Sequence, residues 1–92
     1  MTDVRNGAGG NDNERKSVRP VKRSVRIAGH STSVSLEDEF WQALRGIARE
    51  QNMSLSALLT GIDKARGGRS LASACRIHVL KFFQKKAGYE DS

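Results

Sequence analysis

Ser31-Thr32-Ser33-Val34-Ser35-Leu36 alternates small polar side chains with larger or β-branched ones, and Glu37-Asp38-Glu39 follows at once, ahead of Phe40-Trp41. Side chains on a strand repeat with a period of two, so the stretch reads as one short strand. Thr32, Val34 and Leu36 take one face and Ser31, Ser33 and Ser35 the other. The first face suits burial and the second a polar partner. Three carboxylates directly after the strand mark the start of a helix, because the helix macrodipole stabilises negative charge in its first turn. They read as helix-starting groups, not as a catalytic set.

The pattern downstream is helical. Phe40, Leu44, Ile47 and Ala48 share a stripe, with Trp41 alongside, while Gln42, Arg45, Arg49 and Glu50 point away. Gln51-Asn52-Met53 interrupts it, and Ser54 stands as an N-cap before Leu55, Leu58, Leu59 and Ile62, which recur at the spacing of a second amphipathic helix. Gly67-Gly68 ends that helix, and Ser70 opens a third one carrying Leu71, Ala74, Cys75, Ile77, His78, Leu80, Phe82 and Phe83. The apolar surface of the third helix is broader than one face, so part of it is expected to meet another chain.

Upstream, Ser24-Val25-Arg26-Ile27-Ala28 also alternates, but its apolar residues are odd-numbered whereas Thr32, Val34 and Leu36 are even-numbered. Gly29 is the natural place to absorb that switch. A tight hairpin and a kinked extended run both satisfy it; we expect the kinked run. His30, at the kink, reads as a turn residue or hydrogen-bond donor and not as a metal ligand, since His78 is distant in sequence. Residues 1–21 read as a disordered basic arm, 22–87 as the folded domain and 88–92 as a polar tail.

Ninety-two residues make one small domain whose core is marginal for a lone chain, which favours oligomerisation. Cys75 is the only cysteine, so no intramolecular disulfide or cysteine-rich metal site is available, and its neighbours suit a buried small hydrophobe. No metal or cofactor is expected. No apolar run approaches the roughly 20 residues that span a bilayer, and the polar N-terminus lacks a secretory apolar stretch, which predicts a cytoplasmic protein with no membrane partner. The net charge of +6 is unevenly spread: residues 1–31 carry seven Lys/Arg against three acids, 37–51 two against four, and 52–92 seven against three. Two basic ends around an acidic middle make a polyanion the first partner to consider, nucleic acid before a membrane surface.

Strand, acid-opened helix and second helix together resemble the ribbon-helix-helix family of bacterial DNA-binding proteins over roughly residues 30–66. A wider phrase runs from Lys22-Arg23-Ser24-Val25-Arg26-Ile27-Ala28-Gly29-His30 through Thr32-Ser33-Val34-Ser35-Leu36-Glu37 and Phe40-Trp41 to Leu55-Ser56-Ala57-Leu58 and Ile62-Asp63. It is similar to a short subgroup found mainly in alphaproteobacteria, with the likeness reaching about residue 83.

The resemblance implies a mainly α fold with one short strand and a third C-terminal helix. It also implies an intertwined homodimer whose two strands pair into an intermolecular antiparallel ribbon that enters the major groove of double-stranded DNA. Ser31, Ser33 and Ser35 then face base edges. Lys22, Arg23, Arg26 and His30 reach phosphates or act from the arm, as does the start of the second helix at Ser54, Leu55 and Ser56. Thr32, Val34, Leu36, Phe40, Trp41, Leu44, Ile47, Leu55, Leu58, Leu59 and Ile62 make the dimer core. The implied function is a DNA-binding transcriptional regulator that represses. An antitoxin and a dimeric protein-interaction module that leaves DNA alone, its protein partner unknown, are the alternatives. No nucleophile–base set or phosphate-binding glycine loop points to an enzyme.

Overall fold

The computed structural model describes residues 19–88. Within them the chain forms strands β1 (Val21–Ile27) and β2 (His30–Leu36) and helices α1 (Asp38–Glu50), α2 (Leu55–Ala65) and α3 (Leu71–Lys86). The basic arm expected upstream lies outside the described residues up to 18, as do the last four residues of the tail.

The expected single strand is corrected to two. β1 and β2 pair antiparallel inside one chain, with Val21 opposite Leu36 and Ile27 opposite His30, and only Ala28 and Gly29 lie between them. The kinked extended run is therefore wrong and the tight hairpin right. A two-residue turn sets every odd-numbered residue of β1 against an even-numbered residue of β2, and directly opposed residues share a face. The parity switch at Gly29 is thus what a two-residue hairpin produces, and nothing has to absorb it. Ala28 and Gly29 have φ of 52° and 84°, positive at both central positions, as a type I′ hairpin turn requires. Gly29 adopts this freely, whereas Ala28 sits in a region that L-residues other than Asn and Asp seldom visit. The sheet closes within the chain, so β2 finds its backbone partner without a second copy.

The helices end on local chemistry. Ser54 Oγ accepts from the Ala57 amide at 3.0 Å, and Ser70 Oγ accepts from the Ser73 amide at 3.1 Å, each satisfying one free N-terminal donor. Asn52 takes φ of 57° just after α1. The Met53 amide then donates to the Ala48 carbonyl at 2.9 Å and the Asn52 amide to the Arg49 carbonyl at 3.1 Å, the paired closure of a Schellman motif. Glu37, just ahead of α1, makes no side-chain cap. Its carboxylate pairs with Arg76 of α3 at 3.0 Å, and Lys86 pairs with Glu50 at 2.9 Å, so both ends of α1 are tied to α3. Both pairs are partly exposed, where such contacts contribute little to stability and mainly fix orientation.

The core draws on every element. Ile27, Val34 and Leu36 come from the hairpin, Trp41, Leu44, Ile47 and Ala48 from α1, Leu58, Leu59 and Ile62 from α2, and Ala74, Cys75 and Val79 from α3. Trp41 is fully buried and spends its indole N–H on the Val21 carbonyl at 2.8 Å, which satisfies the donor and fixes the first residue of β1 over α1. Phe40, Leu55, Val21 and Val25 pack at the margin.

Ala28→Asn, which tolerates the left-handed turn conformation, is expected to raise the unfolding free energy by about 0.5–1 kcal/mol in urea denaturation. Burial pushes the Cys75 thiol up to about 11, so it stays protonated, and native protein is expected to resist iodoacetamide at pH 8–9 while urea-unfolded protein reacts readily.

Candidate nucleic-acid interface

The hairpin register sorts its side chains onto two faces. Val25 and Ile27 stand with Thr32, and Val21 with Leu36, on the face that meets the helices. Lys22, Ser24 and Arg26 stand opposite Ser35, Ser33 and Ser31 on the other. All six residues of the outer face are exposed. It holds two cations, four hydroxyls and no carboxylate, so its field has one sign. Hydroxyls donate or accept, and Arg and Lys side chains reach guanine edges or phosphates, so this face is chemically suited to a nucleic-acid groove.

Sequence-proposed residues fall into three groups. Ser31, Ser33 and Ser35 share the outer face with Lys22 and Arg26. Arg23 does not join them: it stands opposite Val34 on the helix side, and its guanidinium lies over the Trp41 ring at 5.7 Å. There it covers the indole and stands on the opposite face of the ribbon from Lys22 and Arg26 while remaining exposed. His30 is exposed beside the turn, opposite Ile27, and no group of three or more metal-ligating residues occurs among the described residues.

The start of α2 lies against the hairpin. The Ser56 hydroxyl donates to the Arg26 carbonyl, and the Ala28 amide donates to Thr60 Oγ1 at 3.4 Å. Thr60 in turn donates to the Ser56 carbonyl at 2.8 Å. Ser56 is thus spent on holding the hairpin. Ser54 caps Ala57, and among the described residues nothing accepts from the Leu55 and Ser56 amides. These two amides carry the positive end of the helix dipole beside Arg26.

The proposed core residues occupy one chain's interior. Val34, Leu36, Trp41, Leu44, Ile47, Leu58, Leu59 and Ile62 are buried, and Thr32, Phe40 and Leu55 half-buried. Sequence reasoning missed Ser24 on the outer face and Thr60 behind it. Both depend on β1 pairing with β2, and the signal for that pairing is the odd-to-even switch.

A two-stranded ribbon with an acid-free outer face, backed by three helices, defines a small ribbon-and-helix module. The ribbon-helix-helix domain family matches residues 20–83, and the chain belongs to that family. Its members are generally DNA-binding regulators or antitoxins, without enzymatic activity. A solved structure, that of an uncharacterized protein from Bordetella pertussis Tohama I, is similar at a TM-score of 0.66 and 26% identity, over 80% of this chain and 63% of that one. The chain therefore spans less than two thirds of that protein's length. No curated protein matches the chain. No helix among the described residues is long and apolar enough to cross a membrane.

Ser56→Ala removes the bond to Arg26 but leaves both strands paired. It is expected to cost about 0.5–1.5 kcal/mol in urea denaturation and to speed hydrogen exchange at the Ala28 amide more than at core amides.

Proposed function

We propose that the protein is a sequence-selective, DNA-binding transcriptional regulator that works as a homodimer and inserts the outer face of its ribbon into the major groove. The observation that carries this reading is the exposed, acid-free face of Lys22, Ser24, Arg26, Ser31, Ser33 and Ser35 on a hairpin that lies within the stretch matched by the family. Paired strands lie about 4.8 Å apart and a major groove is about 12 Å wide, so the ribbon fits with room for its side chains. Lys22 and Arg26 supply reach and charge, and the serines supply short hydroxyls against base edges. The Leu55 and Ser56 amides at the start of α2 hold a flanking phosphate and fix the register of the ribbon. Two copies give the assembly two-fold symmetry, which matches a palindromic operator. Repression needs only that the operator be occupied, and the working location of such a regulator is the cytoplasm, at the nucleoid.

Short hydroxyls discriminate bases less sharply than bidentate Arg or Asn contacts, so a large share of the affinity comes from phosphates. Anisotropy titration against genomic fragments, including the DNA upstream of its own gene, with nonspecific competitor at several salt concentrations, tests the reading. Tight, fragment-selective, salt-sensitive binding is expected. Lys22→Ala and Arg26→Ala are each expected to weaken it and to flatten the log–log salt slope by about 1 for each phosphate no longer neutralised. Undiminished binding after both substitutions, or no binding at low salt, would overturn the assignment of this face.

A further inference from the structure

His78 of α3 stands between two clefts left open along the α2–α3 pair, each of about 210 Å³. On one side the walls include Met53, Ala57, Leu58 and Gly61, and no charged residue. On the other the floor is Ile62, Ala65, Ala74 and Ile77, and the rim is Arg66, Arg69 and Lys81. Among the described residues this second lining holds three cations and no carboxylate.

The three cations are not equivalent. Arg66 is spent within the chain, its Nε on Asp63 at 2.7 Å and its Nη1 on the Arg69 carbonyl at 2.6 Å. Arg69 and Lys81 are exposed, and among the described residues neither pairs with a carboxylate. Two like charges at one rim raise the local concentration of anions. A bare inorganic anion would use that rim and leave the apolar floor wet. A ligand with an anionic head and an apolar body uses both, matching the apolar lining and few convergent polar groups of small-molecule sites. Size limits the body: a cavity of about 150 Å³ holds benzene, so a cleft of about 210 Å³ takes one ring and a carboxylate.

The imidazole supports the same ligand chemistry. Nε2 of His78 is buried with no hydrogen-bond partner among the described residues, and burial holds the ring's pKa below the usual imidazole value. An unpaired buried polar atom calls for an explanation. The charged residues that line the cleft with it, Arg66 at the end of α2, Arg69 of the connecting loop and Lys81 of α3, are all cations. A bound carboxylate is the counter-charge that this lining does not itself supply.

We propose that the α2–α3 cleft binds a small organic carboxylate whose body is about the size of one aromatic ring, with the ring on Ile62, Ala65, Ala74 and Ile77 and the carboxylate held by Arg69 and Lys81. None of these residues belongs to the outer hairpin face, so the site goes beyond the proposed function and is tested without DNA.

The experiment is a proton NMR titration of the full chain with benzoate at constant ionic strength, read at the ring signals of its two histidines. Saturable shifts at His78 are expected at millimolar benzoate, with His30 on the hairpin unmoved. The His78 titration midpoint is expected to move upward in benzoate, since a nearby negative charge favours the imidazolium. Acetate keeps the charge without the ring and benzamide the ring without the charge, and each is expected to bind about tenfold more weakly or worse. Arg69→Gln and Lys81→Gln are each expected to weaken benzoate binding about threefold, and together about tenfold, with unchanged far-ultraviolet circular dichroism. No saturable shift at His78, equal shifts at His30, or acetate binding as tightly as benzoate would overturn the site. Undiminished benzoate binding by the doubly substituted chain would do the same.

Discussion

Chain reversal in two residues is the constraint on which the rest depends. With Ala28 and Gly29 alone between the strands, the opposition of every pair from Val21–Leu36 to Ile27–His30 is fixed, and so is the face each side chain occupies. A turn one residue longer would set odd positions against odd ones and place Lys22 and Arg26 on the face that now carries Val34 and Leu36. The chain accepts an alanine at φ of 52° to keep this register. The buried apolar set of both strands supplies the compensation, because a slip would expose it to water.

A hairpin alone is marginal in water, and its position here comes from two polar attachments at opposite ends. Near the turn, Ser56 and Thr60 of α2 hold the Arg26 carbonyl and the Ala28 amide. At the open end, the Trp41 indole holds the Val21 carbonyl. Between them Ile27, Val34 and Leu36 are buried against the helices. The hydrogen bonds set direction and the apolar contacts supply most of the stabilisation. Arg23 fits this division: stacked over Trp41, it covers the attachment at the open end.

Much of this is legible in the sequence because it is local. Ser54 and Ser70 announce their helices, Gly67 ends one of them, and the stripes of α1 and α2 follow the helical period. The exposed serine face of β2 follows from alternation alone. What escapes is non-local. The partner of β2 depends on pairing with another strand, and a change of parity that looks like a defect to be absorbed is in fact the mark of the pairing. Arg23 lies beyond sequence reasoning for a related reason. Lys22, Arg23 and Arg26 are alike in type, and although alternation sets Arg23 in phase with Val25 and Ile27, only the folded packing shows that it stacks over Trp41. The links of Ser56 and Thr60 to the hairpin span 30 and 32 positions, a separation at which periodicity carries no information.

The alternation of the hairpin also has a bearing on how such a protein can change over time. Its two faces are read by different demands: the inner residues by a shared interior that tolerates little change in volume, the outer six by whatever they touch. Substituting an outer residue removes no buried contact, so that face can be rewritten position by position while the fold stays as it is. A lineage built on this hairpin can acquire new binding preferences by single substitutions at Lys22, Ser24, Arg26, Ser31, Ser33 or Ser35 without first gaining stability to offset them.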